Sequence, residues 1–370
     1  MKAAIMGYGT IGSGVYEVLD KNCKSVEKKA GEPIEVKYIL DLREFPGSPV
    51  EKLVIHDVEQ IVNDPEIGIV VETMGGTKPA YEFVKRCLLA GKHVVTSNKA
   101  LVAEHGPELL AMAKERNLNF MFEASVGGGI PIIRPLNQSL TADEITQITG
   151  ILNGTTNYIL TKMSQEGSSY EDVLKEAQDN GYAERNPEAD VEGYDACRKI
   201  AILTSLVCGQ QVDFEDIHTE GITHISATDI KYAKAMGRAI KLLATSKKTD
   251  GGYVAMVAPF LLPKEHPLYN VNGVFNAIFV RGNVLGDAMF YGSGAGKLPT
   301  ASAVVADVVE MAKNVDKNIP VEWSSKKLEL VDYRSAKNRF FVRVSGTDKT
   351  FVEKVFGNVE YIDAQGVTGE

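Results

Sequence analysis

A glycine-rich turn near the start of the chain constrains the fold more than any other feature. A short apolar run leads into Gly7, Gly9 and Gly12, which form the pattern G-x-G-x-x-G, and a helical pattern follows directly. The first glycine permits a tight turn, the second lets a pyrophosphate approach the backbone, and the third lets the helix pack on the strand. Because N–H groups at the start of a helix attract anions, the turn predicts a dinucleotide site that also uses Thr10 and Ile11.

Alternating strands and helices fill the first 130 residues. Apolar runs separated by helical segments predict parallel strands at residues 3–6, 36–40, 67–72, 93–96 and 119–122. This rhythm predicts an α/β fold with a Rossmann-type, doubly wound parallel sheet over residues 1–130.

Longer helices replace this alternation after Pro131. Strand-like runs occur at residues 146–152, 253–261 and 276–281. The pattern predicts an α+β domain over residues 131–299, and an amphipathic helix near residues 300–314 is expected to return and complete the first domain. The end of the chain, residues 335–370, predicts half of a small module, with a strand, a helix and a strand at 339–344, 350–356 and 359–362.

Composition and charge exclude several classes of function. Lysine and arginine number 40 against 49 acidic residues, so the net charge of −9 has the wrong sign for broad attraction to nucleic acid or anionic lipid. The four cysteines lack metal-type spacing and predict neither a disulfide framework nor a zinc site. The sequence also lacks an apolar run of about 18 residues and an N-terminal signal-peptide pattern, which predicts a cytoplasmic protein in a reducing compartment.

Later strand ends supply further candidate cofactor contacts, because ligands of open α/β sheets bind at the carboxyl ends of the strands. Asp41 ends the second strand, where a carboxylate would accept hydrogen bonds from the adenine ribose of NAD, whereas Arg43 would suit the 2′-phosphate of NADP. These two residues point to opposite cofactors, so the sequence predicts only NAD(P). Thr73 and Met74, and then Lys99, are predicted to line the nicotinamide half of the crevice.

A second group of polar residues lies between positions 151 and 200. Residues 151–160 pass from an apolar strand into a helix through small polar residues that could cap the helix or bind substrate oxygens. Residues 181–200 place acids in a loop rich in proline and glycine, and Asp195 then begins an apolar helix with Lys199 one turn later. By spacing alone, such a pair is more typical of a surface ion pair.

Several blocks taken together resemble the homoserine dehydrogenase family. They occur in family order between residue 5 and about residue 310, and they are GYGTIGSGV, SNKALV, FEASVGGGIPII, GILNGTTNYIL, DVEGYDACRK and FYGSGAGKLPTASAV. GILNGTTNYIL and D-x-x-G-x-D-x-x-R-K are the most specific, since a plain Rossmann protein needs neither. The resemblance implies reversible NAD(P)-dependent reduction of L-aspartate 4-semialdehyde to L-homoserine, in the biosynthesis of threonine, isoleucine and methionine.

The resemblance also implies roles for the matching residues. Lys199 would be the acid/base at the substrate oxygen, Asp195 would assist the proton transfer, and Lys99 would lie between nicotinamide and substrate. Such a reaction needs no covalent intermediate, because the cofactor carries the hydride and the protein only orients the carbonyl and supplies the proton. Two cations near a developing alkoxide would also stabilise its charge.

Further contacts follow from the same resemblance. Glu184 and Asp190 would hold the α-ammonium group of the substrate, and Gly154 and Thr155 would bind the substrate at the start of their helix. Gly296, in the turn after residue 293, would approach the cofactor.

The block FEASVGGGIPII resembles the hinge loop of the family. Glu123, Val126, Gly128 and Ile130 match positions that bind a structural monovalent cation, and carbonyl groups with a hard oxygen ligand suit sodium. A Gly-rich linker between domains would have the same composition. The family further implies a homodimer or higher homo-oligomer with a sheet shared between subunits.

The chain departs from its relatives in two places. Leu40 stands where many relatives have an arginine before the aspartate, and Arg43 lies beyond Asp41, which leaves NAD and NADP as open alternatives. The C-terminal segment matches only the first half of the βαββαβ ACT module of longer relatives. Control by threonine is therefore not implied.

Other assignments explain less of the sequence. An aspartate dehydrogenase would account for residues 1–100 but not for the two most specific blocks. An aspartate semialdehyde dehydrogenase needs a thiolate nucleophile, and neither Cys197 nor Cys208 has an activating neighbour in sequence. A non-catalytic sensor that kept the fold would be expected to lose a proton-transfer residue, but both Lys199 and Asp195 are present.

Overall fold

The structure is a computed structural model that describes residues 1–346 and 348–367. Its first part contains β1 (Lys2–Met6), α1 (Thr10–Lys21), α2 (Cys23–Ala30), β2 (Glu35–Leu40), β3 (Val54–Ile55), α3 (Glu59–Val62), β4 (Ile67–Glu72), α4 (Ala80–Leu89), β5 (His93–Thr96), α5 (Lys99–Glu115) and β6 (Phe120–Met121). The strands form one sheet in the order β3-β2-β1-β4-β5-β6, and every pair is parallel. This order reverses beside β1, which opens a ligand crevice at the carboxyl ends of β1 and β4.

The central strands are mostly apolar and buried because helices cover both faces of the sheet. Ile5 of β1 packs with Val15 of α1 on one face, whereas the next residue, Met6, packs with Val84 of α4 on the other. Full burial of side chains of this size contributes about 1.5–3 kcal/mol each. The short apolar runs of the sequence therefore become strands that are buried on both sides.

A mixed sheet organises the second part of the chain. Its elements are β7 (Ile145–Ile151), α6 (Gly154–Glu166), α7 (Tyr170–Asp179), α8 (Glu188–Val191), α9 (Tyr194–Cys208), β8 (Gln210–Gln211), β9 (His218–Thr219), α10 (Ala227–Ala235), β10 (Arg238–Thr249), β11 (Gly252–Pro263), β12 (Phe275–Gly282) and β13 (Gly286–Ser293). The strand order is β13-β12-β7-β10-β11-β9, antiparallel except between β11 and β9. The predicted α/β class, with a Rossmann-type sheet and a second α+β part, is confirmed.

The helix α11 (Lys297–Ala312) lies against α1, far from it in sequence. A Cβ at Gly14 would lie 2.9 Å from the carbonyl oxygen of Lys297, so the two helices touch through a glycine. Lys297 also pairs with Glu17 of α1 at 2.7 Å. Farther along, β14 (Ser324–Lys327) pairs with β8. Within residues 1–346 and 348–367, no helix is both long enough and apolar enough to cross a membrane.

The C-terminal segment differs from its prediction. The helix forms as α12 (Lys349–Phe356), but the strands predicted at 339–344 and 359–362 are wrong, since both described runs lack strand pairing. Phe341 instead packs on Tyr232 of α10 with ring centroids 5.4 Å apart. The physical reason is that strands need partners, and half a module supplies too few for a stable sheet. Residues 347 and 368–370 of the predicted module lie outside the described residues.

Candidate active site

A cluster of charged side chains lies where β7 ends and α9 begins. The ammonium group of Lys199 donates hydrogen bonds to the carbonyl oxygen of Leu152 at 2.8 Å and to Asp195 Oδ2 at 2.7 Å. The other carboxylate oxygen of Asp195 lies 3.0 Å from Lys99 Nζ at the start of α5. One carboxylate therefore bridges two ammonium groups that come from different parts of the chain.

Asp195 is held in its ionised form. Its side chain is only 8% exposed, and burial alone would raise its pKa, but the charges of Lys199 and Lys99 together hold the pKa well below its usual range. A surface ion pair of this spacing would leave both groups in water. The burial distinguishes this pair from the surface interpretation that spacing alone favoured.

Asn153, which the sequence analysis did not single out, joins two acids of the cluster. Its Nδ2 donates to Asp190 Oδ1 at 2.8 Å and to Asp195 Oδ2 at 3.0 Å, while its Oδ1 accepts the backbone N–H of Thr156 at 2.9 Å. Asn153 is thus the N-cap of α6. The signal was an asparagine directly before Gly-Thr-Thr at a strand-to-helix junction. Burial raises the pKa of the neighbouring Asp190 carboxyl.

Lys199 has one hydrogen-bond donor left over. An ammonium group carries three N–H donors, and Leu152 and Asp195 accept two of them. In the part of the chain that the structure describes, no acceptor takes the third. The side chain is 12% exposed, so this remaining donor can reach a bound molecule but not bulk solvent freely.

Of the other candidate substrate residues, Gly154 and Thr155 lie beside this cluster and Glu184 does not. Gly154 begins α6, and a Cβ there would lie 2.8 Å from the carbonyl oxygen of Val274, so no larger residue fits. Thr155 donates its hydroxyl hydrogen to the carbonyl oxygen of Tyr182 at 2.6 Å, which ties the following loop to α6. Glu184 on that loop is exposed, and the structure does not bring its carboxylate into the cluster.

The glycine turn has the geometry that a pyrophosphate site requires. Gly7 has φ +94°, and a Cβ at Gly12 would lie 1.9 Å from the Gly7 carbonyl oxygen, so both positions need glycine. A Cβ at Gly9 would meet nothing within 4 Å, which leaves open space beside the turn. Thr10 and Ile11 are the first residues of α1, so their N–H groups lack partners within the helix.

The turn after β4 lies directly beside this site. Thr73 donates its hydroxyl hydrogen to the carbonyl oxygen of Gly7 at 2.8 Å. The buried Glu72, another residue that the sequence analysis missed, accepts the N–H of Met74 at 2.7 Å and the hydroxyl of Thr96 at 2.5 Å. Burial raises the pKa of Glu72. Gly296, with φ +113°, precedes α11.

Comparisons with known proteins identify the family. A family model described as the NAD-binding domain of homoserine dehydrogenase matches residues 7–123, and one described as homoserine dehydrogenase matches residues 131–309. The homoserine dehydrogenase of Synechocystis is 48% identical over 320 residues, which cover 84% of this chain and 73% of that protein. The Bacillus subtilis enzyme is 44% identical over 318 residues, with 85% and 73% covered. The chain belongs to the homoserine dehydrogenase family.

Solved structures agree with this family assignment. A homoserine dehydrogenase from Thiobacillus denitrificans superposes with a TM-score of 0.81 at 42% identity, covering 85% of this chain and 73% of that one. That from S. aureus at pH 7.5 gives a TM-score of 0.76 at 37% identity, covering 88% and 79%. Like other homoserine dehydrogenases, the chain is an oxidoreductase that interconverts L-homoserine and L-aspartate 4-semialdehyde in amino-acid biosynthesis, and it uses a nicotinamide cofactor.

The two residues that point to opposite cofactors, Asp41 and Arg43, bind each other in this chain. The guanidinium group of Arg43 donates to both carboxylate oxygens of Asp41, from Nε at 2.9 Å and from Nη2 at 2.8 Å. The N–H of Tyr8 in the glycine turn also donates to Asp41 Oδ2 at 2.7 Å. Arg43 holds the pKa of Asp41 well below its usual range, so the carboxylate stays charged beside the turn.

In the loop that resembles the family's hinge loop, the Glu123 side chain, which was expected to bind a cation, binds backbone N–H groups instead. The carboxylate of Glu123 accepts three backbone N–H groups, those of Ile132 at 2.6 Å, Ile133 at 2.8 Å and Arg134 at 2.7 Å. These donors engage both oxygens that a cation would otherwise use. The carbonyl oxygens at residues 126, 128 and 130 accept no hydrogen bond from the described residues, although the backbone there is buried.

Proposed function

We propose that the reaction of this chain proceeds with Lys199 as acid/base, Asp195 as its orienting partner and Lys99 as a second cation at the substrate oxygen. The observation that carries the proposal is the single free donor of Lys199 inside a buried charge cluster. When bound, the nicotinamide cofactor supplies or receives the hydride at the reacting carbon. The protein then needs to move one proton and to stabilise one developing negative charge.

The contacts of Lys199 suit both directions of the reaction. During reduction, its third N–H donates a proton to the aldehyde oxygen. The neutral amine that remains has two N–H groups, which the Leu152 carbonyl and Asp195 accept, so its lone pair is directed at the alcohol for the reverse reaction. Lys99 adds a positive charge that favours the alkoxide-like transition state over the neutral aldehyde.

We further propose that the polar end of the amino-acid substrate binds between the loop of residues 182–190 and the start of α6. Asp190 provides a half-buried carboxylate beside the cluster for the α-ammonium group, and Glu184 lies on the same loop. The N–H groups of Gly154 and Thr155 lack partners within α6, and the positive end of the helix dipole would favour the substrate carboxylate.

Asp195→Asn tests the charge cluster. The amide keeps the shape but removes the negative charge that two ammonium groups share, so their mutual repulsion is expected to displace Lys199 from the substrate oxygen. We expect kcat for L-homoserine oxidation to fall by about 10²-fold or more, in line with losses on removing a proton-transfer group. Steady-state kinetics with saturating cofactor measure this effect.

The matched control is Asp64→Asn. Asp64 also pairs with a lysine, Lys37, at 2.5 Å, but it precedes β4 at the opposite end of the sheet. This variant is expected to keep the turnover of the unmodified protein. Turnover above one tenth of normal in Asp195→Asn would contradict the proposed chemistry.

We also propose that the hinge loop binds a monovalent cation through carbonyl oxygens rather than through the Glu123 side chain. The unpartnered carbonyls of Val126, Gly128 and Ile130 are hard oxygen donors, and the Glu123 carboxylate adds negative charge nearby. The midpoint of thermal unfolding is expected to rise with the logarithm of sodium concentration once that concentration exceeds Kd. A ligand at 100 times its Kd stabilises the folded state by about 2.7 kcal/mol.

The experiment compares sodium chloride with choline chloride at equal ionic strength, so that screening is the same in both series. Choline is too large for a site built from neighbouring carbonyls. Identical unfolding midpoints in the two salts would refute the cation proposal without touching the proton-transfer chemistry.

A further inference from the structure

A buried lysine lies on β10, outside the charged cluster. Lys241 is 2% exposed, and its Nζ donates to Asn157 Oδ1 at 3.1 Å, to the carbonyl oxygen of Val271 at 2.5 Å and to Asn272 Oδ1 at 2.9 Å. All three acceptors are neutral, and no carboxylate pairs with this ammonium group among the described residues. Burial lowers its pKa to about 8. A buried cation without a counter-charge is unfavourable, and it persists here because three fixed acceptors satisfy its three donors.

Asn157 connects this lysine to a loop. Its Nδ2 shares two N–H donors among three carbonyl oxygens, those of Val271 at 3.1 Å, Gly273 at 3.0 Å and Phe275 at 3.0 Å. Thr161, one turn later on α6, accepts the N–H of Gly273 at 3.1 Å. We call residues 271–275 the anchored loop, since Lys241 of β10 and the α6 side chains of Asn157 and Thr161 all form hydrogen bonds with its backbone.

The anchored loop packs directly on the first turn of α6. The carbonyl oxygen of Val274 would lie 2.8 Å from a Cβ at Gly154, so loop and helix are already as close as a glycine permits. Asn153, the preceding residue, donates to Asp190 and Asp195. A shift of the loop would therefore move the helix start relative to both carboxylates.

A buried side-chain atom that has no hydrogen-bond partner within the described part of the chain lies at the end of the loop. Asn276 is 1% exposed, and its Oδ1 is a buried side-chain atom without a hydrogen-bond partner among the described residues. Its amide lies between the start of α6 and the turn that precedes α11: a Cβ at Gly154 would be 3.6 Å from its Oδ1, and one at Gly294 would be 1.9 Å from its Nδ2. Leaving a buried acceptor unpaired is unfavourable. The bonds from Lys241 and Asn157 hold the loop in place beside this unpaired group.

We propose that Lys241 is a positioning residue for homoserine: acting through Asn157, it fixes the anchored loop against α6 and thereby sets the N–H groups of Gly154 and Thr155 that receive the substrate. The inference rests on the proposed substrate role of those two residues. A lysine that merely stabilised the sheet would affect unfolding but would leave the affinity for one particular substrate unchanged.

Lys241→Met tests the proposal, because methionine keeps most of the unbranched side chain and removes all three donors. We expect KM for L-homoserine to rise about tenfold or more while KM for the nicotinamide cofactor stays within about twofold, the pattern of lost substrate binding. The matched control is Thr245→Val on the same strand, which removes a 2.8 Å contact with Thr149 away from the anchored loop. It is expected to lower the unfolding temperature without changing either KM.

A milder variant covers the case in which Lys241→Met does not fold. Asn272 is exposed, and Asn272→Ala removes one of the three acceptors without disturbing the core. Its KM for homoserine is expected to rise in the same direction by a smaller factor. The double variant Lys241→Met/Asn157→Ala should raise KM for homoserine by less than the product of the two single-variant factors, because both residues act through one network.

The outcomes separate this inference from the chemistry on which it rests. A normal KM for homoserine in Lys241→Met, or in Asn272→Ala when the former is unfolded, would overturn the inference even if Asp195→Asn is inactive. An equal rise of KM for homoserine and cofactor would overturn it as well, since that is a general loss of structure. Normal turnover in Asp195→Asn would instead overturn the proton-transfer scheme, whatever Lys241 does.

Discussion

Replacing Lys199 with methionine is expected to lower kcat in both directions by about 10²–10⁴-fold, the usual contribution of a positioned general acid or base. Methionine keeps most of the unbranched side chain, so the packing of α9 is expected to change little, but no proton can be delivered to the aldehyde oxygen. Affinity for the nicotinamide cofactor is expected to stay normal, because the glycine turn does not contact Lys199. Single-turnover kinetics together with a fluorescence titration of the reduced cofactor measure both quantities.

The chain supplies a matched control for this experiment. Lys162 of α6 also forms an ion pair with an acid four residues away, Glu166, at 2.6 Å, but this pair lies on the surface. Lys162→Met is expected to keep normal turnover. If Lys199→Met retained more than about one tenth of normal kcat with cofactor still bound, its role as acid/base would be excluded.

Opposite changes in cofactor selectivity are expected from the two members of the Asp41–Arg43 pair. We propose that this pair sets the choice between NADH and NADPH. Arg43→Ala removes the only charge in the pair that would attract a 2′-phosphate, so KM for NADPH should rise roughly 10- to 100-fold, as for loss of a charged hydrogen bond. Asp41→Ala frees Arg43 and should lower KM for NADPH while raising it for NADH.

Parallel steady-state kinetics with both cofactors provide the measurement. Asp332 and Arg334 form a second pair with the same spacing and the same bidentate geometry, remote from the glycine turn in sequence. Arg334→Ala should leave the ratio of kcat/KM for the two cofactors unchanged. A ratio that moved in the same direction for Arg43→Ala and Asp41→Ala would refute the proposal.

The parallel sheet could be predicted from the sequence because its signal is local. The runs at 67–72 and 93–96 coincide with β4 and β5, since strands covered on both faces read as continuous apolar segments. By contrast, β10 and β13 were not predicted. The apolar run of β10 contains Lys241, whose acceptors come from α6 and a distant loop. In β13, half-buried and exposed positions alternate, but the residues at the two kinds of position do not differ clearly in polarity. Neither feature can be seen before the strands pair.

In the candidate site, too, local features could be predicted from the sequence and features that depend on packing could not. The spacing of Asp195 and Lys199 is local to one helix, so the sequence could suggest the pair, but it could not show that the pair is buried rather than on the surface. The contact of Lys99 with Asp195 and the role of Asn153 depend on how distant segments pack. The exposed position of Glu184 is likewise a property of its loop, and motif matching cannot report it.

The bridging carboxylate of Asp195 has a consequence for how the chain becomes active. Lys99 begins α5, which follows β5 of the parallel sheet, whereas Asp195 and Lys199 lie on α9 in the mixed-sheet part. Neither part can assemble the three charges alone. Docking of the two parts therefore completes the three-charge cluster on which the proposed proton transfer depends.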